Sequence, residues 1–276
     1  MKNWKLWSVD DARHIIAIPT PSDDKYSRGV LGVIAGSNHY PGAAILTTSA
    51  ALRTGIGLLR YVGPRNVNRL VLASNPEIVL GKGRVNAWVI GSGIPTRGIP
   101  FMQKRQISFA CKSGLPISLD AGALNYAGNV FSPILITPHY RELQALLSGK
   151  GIPVTLEEIQ KNPKFWASKT ALELSVTVLL KGNVSVVASI EKQIELPSAT
   201  PWLATAGTGD VLTGIIGALM ATNSELILKQ KIDIASIAAT ASLIHRNAAE
   251  LAVSKGPITS SDVVRNISRA IFEIMK

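Results

Sequence analysis

Near its start the chain reads Val30-Leu31-Gly32-Val33-Ile34-Ala35, an apolar run with no polar alternation. That pattern predicts a strand buried on both faces, as in a mainly parallel sheet covered by helices on each side. The neighbouring stretches extend the reading. Ala43–Thr54 is a helix of small residues stopped by Gly55 and Gly57. Leu58–Val62, Ala87–Ile90, Pro116–Leu119 and Ile134–Ile136 read as further buried strands, with a helix over Phe101–Lys112 and a short one from Glu142. Helical periodicity returns between Leu156 and Leu174. Val176–Leu180 and Val184–Ile190 pair around Gly182-Asn183, with Gln193–Leu196 as the edge strand. The last third is helical over Asp210–Ala221, Asp233–Ser254 and Ser260–Ile274. With no linker and no repeat, residues 1–276 are expected to form a single α/β domain, a mainly parallel sheet between two helical layers.

Composition narrows the classes. Of 276 residues 46% are hydrophobic and 17% charged, which argues against disorder and coiled coil. One cysteine, Cys111, leaves no intramolecular disulfide and no cysteine-cluster metal site, and points to a reducing compartment. Trp4, Trp7, Asp10 and Asp11 leave no apolar core for a signal peptide, and the most apolar run, Val211–Ala221, is too short to span a membrane. A cytoplasmic protein with no membrane partner is expected.

Lys and Arg number 29 against 18 Asp and Glu, a net +11, and eleven basic residues against the single acid Glu77 fall between Lys25 and Arg105. Such a field attracts polyanions or simply solubilises a face. A nucleic-acid surface would interleave aromatic stacking platforms with these bases. Here only Tyr61, Trp88 and Phe101 qualify, in strand-like or loop contexts, so nucleic acid is not the expected partner.

In open α/β sheets ligands bind beyond the carboxyl ends of the strands. The strongest motif lies at such a position: Ala204-Thr205-Ala206-Gly207-Thr208-Gly209-Asp210, opening a helix. Gly207, Thr208 and Gly209 offer backbone N–H groups at a helix N-terminus, an anion hole for phosphate. Asp210 beside that hole reads as a general base, or as a plain helix cap. Four more strand ends carry chemistry: Gly36-Ser37-Asn38-His39 leading to Ala43-Ala44, Gly91-Ser92-Gly93, Thr137-Pro138-His139 and Lys181-Gly182-Asn183-Val184-Ser185. Asp120 follows another strand and is expected to cap the next helix. Thr96 and Leu212 stand where a dinucleotide fingerprint needs its third glycine, and no phosphate-loop Gly-Lys-Ser/Thr or serine-hydrolase elbow occurs. His14, His39, His139 and His245 show no metal spacing.

Taken in order, Val33-Ile34-Ala35-Gly36-Ser37, Tyr40-Pro41-Gly42-Ala43-Ala44, Leu119-Asp120-Ala121-Gly122-Ala123-Leu124, Ile136-Thr137-Pro138-His139, Leu179-Leu180-Lys181-Gly182 and Ala204–Asp210 resemble the ADP/ATP-dependent NAD(P)H-hydrate dehydratases over nearly the whole chain. The resemblance implies a ribokinase-like α/β/α sandwich. It also implies repair of NADHX and NADPHX by phosphorylation of the ring hydroxyl and elimination of phosphate, with ADP giving AMP. Carried over by motif, Ala43, Gly93, His139 and Asp210 would contact the hydrate. Lys181, Gly182, Asn183, Val184, Ser185 and Gly209 would hold the nucleotide, with Mg²⁺ bridging phosphates. A homo-oligomer and a separate, unfused epimerase are also implied. Two departures stand out: Tyr140-Arg141 replaces the family's x-Gly between His139 and Glu142, and Tyr26 follows Lys25 where Gly is usual. A ribokinase-like small-molecule kinase such as a hydroxyethylthiazole kinase would share Asp210 and the anion hole but release a phosphorylated product.

Overall fold

The computed structural model describes residues 4–130, 132–254 and 256–276. Its strands are β1 (Lys5–Leu6), β2 (Val30–Ile34), β3 (Leu58–Tyr61), β4 (Val79–Leu80), β5 (Ala87–Ile90), β6 (Ile117–Leu119), β7 (Ile134–Ile136), β8 (Thr177–Leu180), β9 (Val186–Ala188) and β10 (Gln193–Glu195). They form one sheet in the order β1-β10-β9-β8-β7-β6-β5-β2-β3-β4. Every pair from β8 to β4 is parallel, β8-β9 and β9-β10 are antiparallel, and β1 runs parallel to β10.

The unalternating runs are buried on both sides because the pleat sends successive residues to opposite cores. Leu31, Val33, Ala87, Val89, Leu135, Leu179 and Val187 face one core, beneath the helices Pro41–Arg53, Thr208–Thr222, Ile234–Val253 and Ser260–Met275. Val30, Ile34, Trp88, Ile90, Ile117, Leu119, Ile136, Val178 and Leu180 face the other, beneath Phe101–Cys111, Tyr140–Gly149 and Pro163–Leu174. This is the expected α/β/α sandwich. Each fully buried Leu or Ile contributes on the order of 1.5–3 kcal/mol, so the two cores are the main stabilising term. The Trp88 indole crosses directly over Gly32, where any side chain would collide with the ring.

Several expectations need correction. β10 is not an edge, since β1 pairs outside it. The helix at 142 begins at Tyr140 with His139 as its N-cap. The 156–174 stretch is two helices, Leu156–Lys161 and Pro163–Leu174, because Pro163 lacks an N–H and starts a new helix at its N1 position. The helix Arg65–Ser74 was not anticipated; it is amphipathic, with Val67 and Val71 buried and Leu72 packed against the same core. Asp120 does not cap: its side chain makes no bond to the following 3₁₀ segment, Ala121–Asn129. Tyr61 and Trp88 are fully buried, and the Tyr61 hydroxyl donates to Ala35 O at 2.7 Å, so neither can stack on a nucleic-acid base. Among the described residues no helix is long and apolar enough to cross a membrane.

Candidate active site

The parallel register aligns the carboxyl ends of β5 to β8. Ile90 pairs with Leu119 and Leu119 with Ile136, and beyond the strands His139 bridges to Lys181. Backbone bonds continue past the ladder: Asp120 N to Ile90 O at 2.9 Å, Thr137 N to Leu119 O at 3.1 Å and Lys181 N to Pro138 O at 2.9 Å. The loop residues Gly91, Asp120, His139 and Lys181 are therefore held almost as firmly as strand residues.

Across this row sits the N-terminus of the helix Thr208–Thr222. Its N-cap, Gly207, has φ +90° and caps with no side chain. A β-carbon there would be strained, and would lie 2.5 Å from Leu46 Cδ1. The Thr208 hydroxyl is spent on Leu203 O (2.9 Å) and Thr205 O (3.1 Å), leaving its backbone N–H for a ligand. The first-turn N–H groups have no intrahelical acceptors, and the helix dipole adds positive potential. Lys181 adds charge at the same spot: a β-carbon on Gly209 would be 3.6 Å from its Nζ.

Asp210 enters this environment from the first turn. Burial, then the nearby Asp120 carboxylate, push its pKa up to about 6, against the Ser92 hydroxyl and Lys181, which pull it down. The Ser92 hydroxyl is itself buried and makes no full hydrogen bond within the protein. Lys181 Nζ lies 2.8 Å from Asp120 Oδ1 and 3.9 Å from Glu142 Oε2. Burial works against its charge, but Asp120, Glu142 and Asp210 together hold its pKa above the usual lysine value.

A cavity of about 420 Å³ brings together Lys181, Gly182, Asn183, Ser185, Thr208 and Gly209, with His245 as part of its wall. Val184 does not join them; it lines a separate groove with Trp4 and Phe165. Ala43, in the first turn of Pro41–Arg53, packs against Gly93, whose added β-carbon would lie 2.6 Å from the Ala43 methyl. His139 acts as a cap: Nδ1 accepts from Glu142 N at 3.2 Å while Glu142 Oε2 accepts from His139 N at 2.8 Å. With Nδ1 an acceptor, Nε2 is left to carry the proton in the neutral ring. The departing residues separate: Tyr140 is half-buried with its hydroxyl over Gly182, while Arg141 is exposed.

The sequence motifs contain Ser92 and Glu142 without giving either a role, and His245 lies outside every motif. His245 is buried, and desolvation depresses its pKa to about 4 despite a backbone contact with Thr208. Among the described residues no group of three His, Cys, Asp or Glu gathers as a metal site.

A family model described as NAD(P)H-hydrate dehydratase matches residues 31–271. A Mycobacterium leprae protein named bifunctional NAD(P)H-hydrate repair enzyme is 37% identical over 271 residues, 93% of this chain and 52% of that protein. The chain spans about half the length of the first curated relatives it matches. The crystal structure of a Bacillus subtilis ADP/ATP-dependent NAD(P)H-hydrate dehydratase, co-crystallised with ATP and Mg²⁺, superposes with a TM-score of 0.85 at 26% identity, covering 99% of this chain and 100% of that one. A ribokinase-like superfamily protein from Enterococcus faecalis shares the fold, with a TM-score of 0.81 at 20% identity over 98% of this chain and 96% of that one.

Proposed function

The chain belongs to the NAD(P)H-hydrate dehydratase family, and from that premise we propose that it restores NADH and NADPH from their hydrates with ADP as phosphoryl donor, yielding AMP and phosphate. The observation that carries this reading is Asp210, a carboxyl raised to about 6 in the first turn of a helix capped by Gly207. A carboxylate beside an anion hole repels a bound phosphate, and that placement suits a group that takes up a proton as the phosphoryl group is attacked.

The nucleotide enters the cavity between the Lys181–Ser185 turn and Gly209. Its terminal phosphoryl group rests on the N–H groups after Gly207, with Lys181 balancing charge. The hydrate sits against Ala43, Gly93 and His139 with its ring hydroxyl toward Asp210. Asp210 accepts the hydroxyl proton as the oxygen attacks phosphorus, and AMP departs. The ring nitrogen's lone pair then expels phosphate as a proton leaves the adjacent ring carbon. Hydroxide leaves such a carbon poorly and phosphate leaves well, which is why a nucleotide is consumed.

Mg²⁺, brought in with the nucleotide, would neutralise phosphate charge beside Lys181 during transfer. The basic Lys25–Arg105 stretch suits two polyanionic substrates. Epimerisation of the same hydrates is the partner activity, and copies of this catalytic domain associate in solution. The test is direct: incubate the purified protein with NADHX, ADP and Mg²⁺ and follow recovery of NADH absorbance. NADH, AMP and phosphate should form in equal amounts. Accumulation of a stable phosphorylated compound would move the chain to the small-molecule kinases.

A further inference from the structure

We propose that Asp120 is the positioning residue of this site, fixing Lys181 beside the phosphate hole and setting a second carboxylate next to Asp210; the inference rests on the dehydratase reading for its catalytic meaning. Asp120 is 3% exposed, yet both its oxygens are engaged. Oδ1 accepts from Lys181 Nζ and from Thr137 Oγ1, each at 2.8 Å, and Oδ2 accepts from Thr213 Oγ1 at 3.3 Å. Those donors come from the ends of β8 and β7 and from the helix Thr208–Thr222, with Thr213 one turn beyond Asp210. One carboxylate thus ties together the pieces that must keep register during phosphoryl transfer.

The backbone supports the same assignment. Ala121, the next residue, adopts φ +45°, a left-handed conformation that non-glycine residues avoid. Such strain persists where the surroundings impose it and clusters at functional sites. It turns the chain immediately after Asp120, whose carboxylate is thereby left free of the local capping bonds an Asp at this place would ordinarily make. A buried carboxylate is costly unless paired, and Lys181 is the pairing cation.

A second acid so near the base has an electrostatic consequence. Burial is the first cause of the raised pKa of Asp210 and Asp120 the second, while Ser92 and Lys181 oppose them. Glu142 acts one step away, through Lys181. From the flanking helices, Thr47 and Ser260 bring hydroxyls, which bond the backbone oxygens of Asp210 and Ala206, and His245, held neutral at physiological pH, contacts Thr208. Asp120 is therefore the acid that keeps Asp210 a stronger base than burial alone would. It also restrains Lys181 from collapsing onto Asp210, which would quench that basicity. A general base works best with a pKa near the working pH.

The experiment is a carbon-13 NMR titration of the aspartate carboxyls in the substrate-free protein, with Asp210 assigned through Asp210→Asn. Asp120→Asn keeps an acceptor for Lys181 and Thr137 but removes the charge. In it the Asp210 midpoint should move to lower pH by about half a unit or more. The acid limb of kcat/KM should move the same way, with kcat lower on the plateau. Asp120→Ser is run in parallel, so that either neutral residue accepted at this position decides the matter. Thr137→Val retains the charge and should leave the midpoint in place. An Asp210 midpoint unchanged in the folded Asp120 variants overturns the proposal. Because the titration needs no substrate, it stands apart from the NADHX assay: absence of NADH recovery there would count against the dehydratase reading and not against this role for Asp120.

Discussion

The Thr47 hydroxyl donates to the backbone oxygen of Asp210 at 3.1 Å, joining the helix that carries Ala43 to the helix that carries Asp210. Thr47 is fully buried. Thr47→Val keeps the shape and removes the donor, at a cost of about 0.5–1.5 kcal/mol. The expected result is a small loss in thermal stability together with a several-fold fall in kcat, since the two halves of the site are then free to slide. Thermal melts and steady-state kinetics on one preparation check both.

Asp210→Asn should cut kcat by roughly 10²–10⁴-fold, the usual span for a general base. Nucleotide affinity should hold or improve, because a negative charge near the phosphates is gone. The variant should also be more stable than the native protein at pH 7. The folded-state pKa of about 6 lies above the model value of 3.8, so the ionised native carboxylate costs up to about 3 kcal/mol there. That difference should shrink as pH falls through 6 and disappear below about 4. Chemical denaturation across pH with paired nucleotide titrations decides it.

His245 carries the opposite sign. Its folded pKa of about 4 lies below the model value of 6.5, so the unfolded chain takes up the proton first. Above 6.5 the ring is neutral in both states and adds no pH dependence; stability is then lost progressively as pH falls from 6.5 toward 4. His245→Asn cannot gain a proton and should flatten that part of the stability curve. An unchanged acid slope would show that the loss arises elsewhere.

Gly207→Ala should raise the KM for nucleotide and destabilise the fold by about 1–3 kcal/mol, the range for a strained non-glycine backbone. The methyl would also press on Leu46 and Ser260. Gly209→Ala makes the contrast: its β-carbon meets only Lys181 Nζ at ordinary distance, so stability should be nearly native. Calorimetry of both variants separates backbone strain from phosphate binding.

If the Lys25–Arg105 charge steers the substrates, kcat/KM should decline as salt rises, because at 0.15 M the Debye length is about 8 Å. Stopped-flow or initial-rate measurements across ionic strength check this. A flat response would leave the charge to solubility.

The parts of this molecule legible in the sequence are those whose signal is local. β2 and β5 show through because burial on both faces removes every polar residue from the run. The Gly207–Asp210 turn shows through because its two glycines and the helix start are contiguous in the sequence. Arg65–Ser74 carries a helical signal in Val67, Leu70, Val71 and Leu72, but the loop-like Pro64-Arg65-Asn66 and Asn68-Arg69 around it conceal that signal. β1 and β4 are two residues each and have no periodicity to read. Asp120 was read as a cap because its local spacing fits one. Its partners Thr137, Lys181 and Thr213 lie 17, 61 and 93 residues away, and no window of sequence contains them. His245 was set aside for want of metal spacing, although its burial beside Thr208 is a tertiary fact.

The pairing of β1 with β10 has a consequence for biosynthesis. Lys5 and Leu6 leave the ribosome well ahead of their partners Ile194 and Glu195, which follow about 190 residues later. At translation rates of about 5–20 residues per second, that segment waits roughly 10–40 s without its neighbour. Trp7, 5% exposed in the finished protein and bonded through its indole N–H to Thr240, waits longer still. A nascent chain stalled before β10 would present that tryptophan to chaperones or to other chains, a hazard that ends only when Thr240 has been made and folded into place.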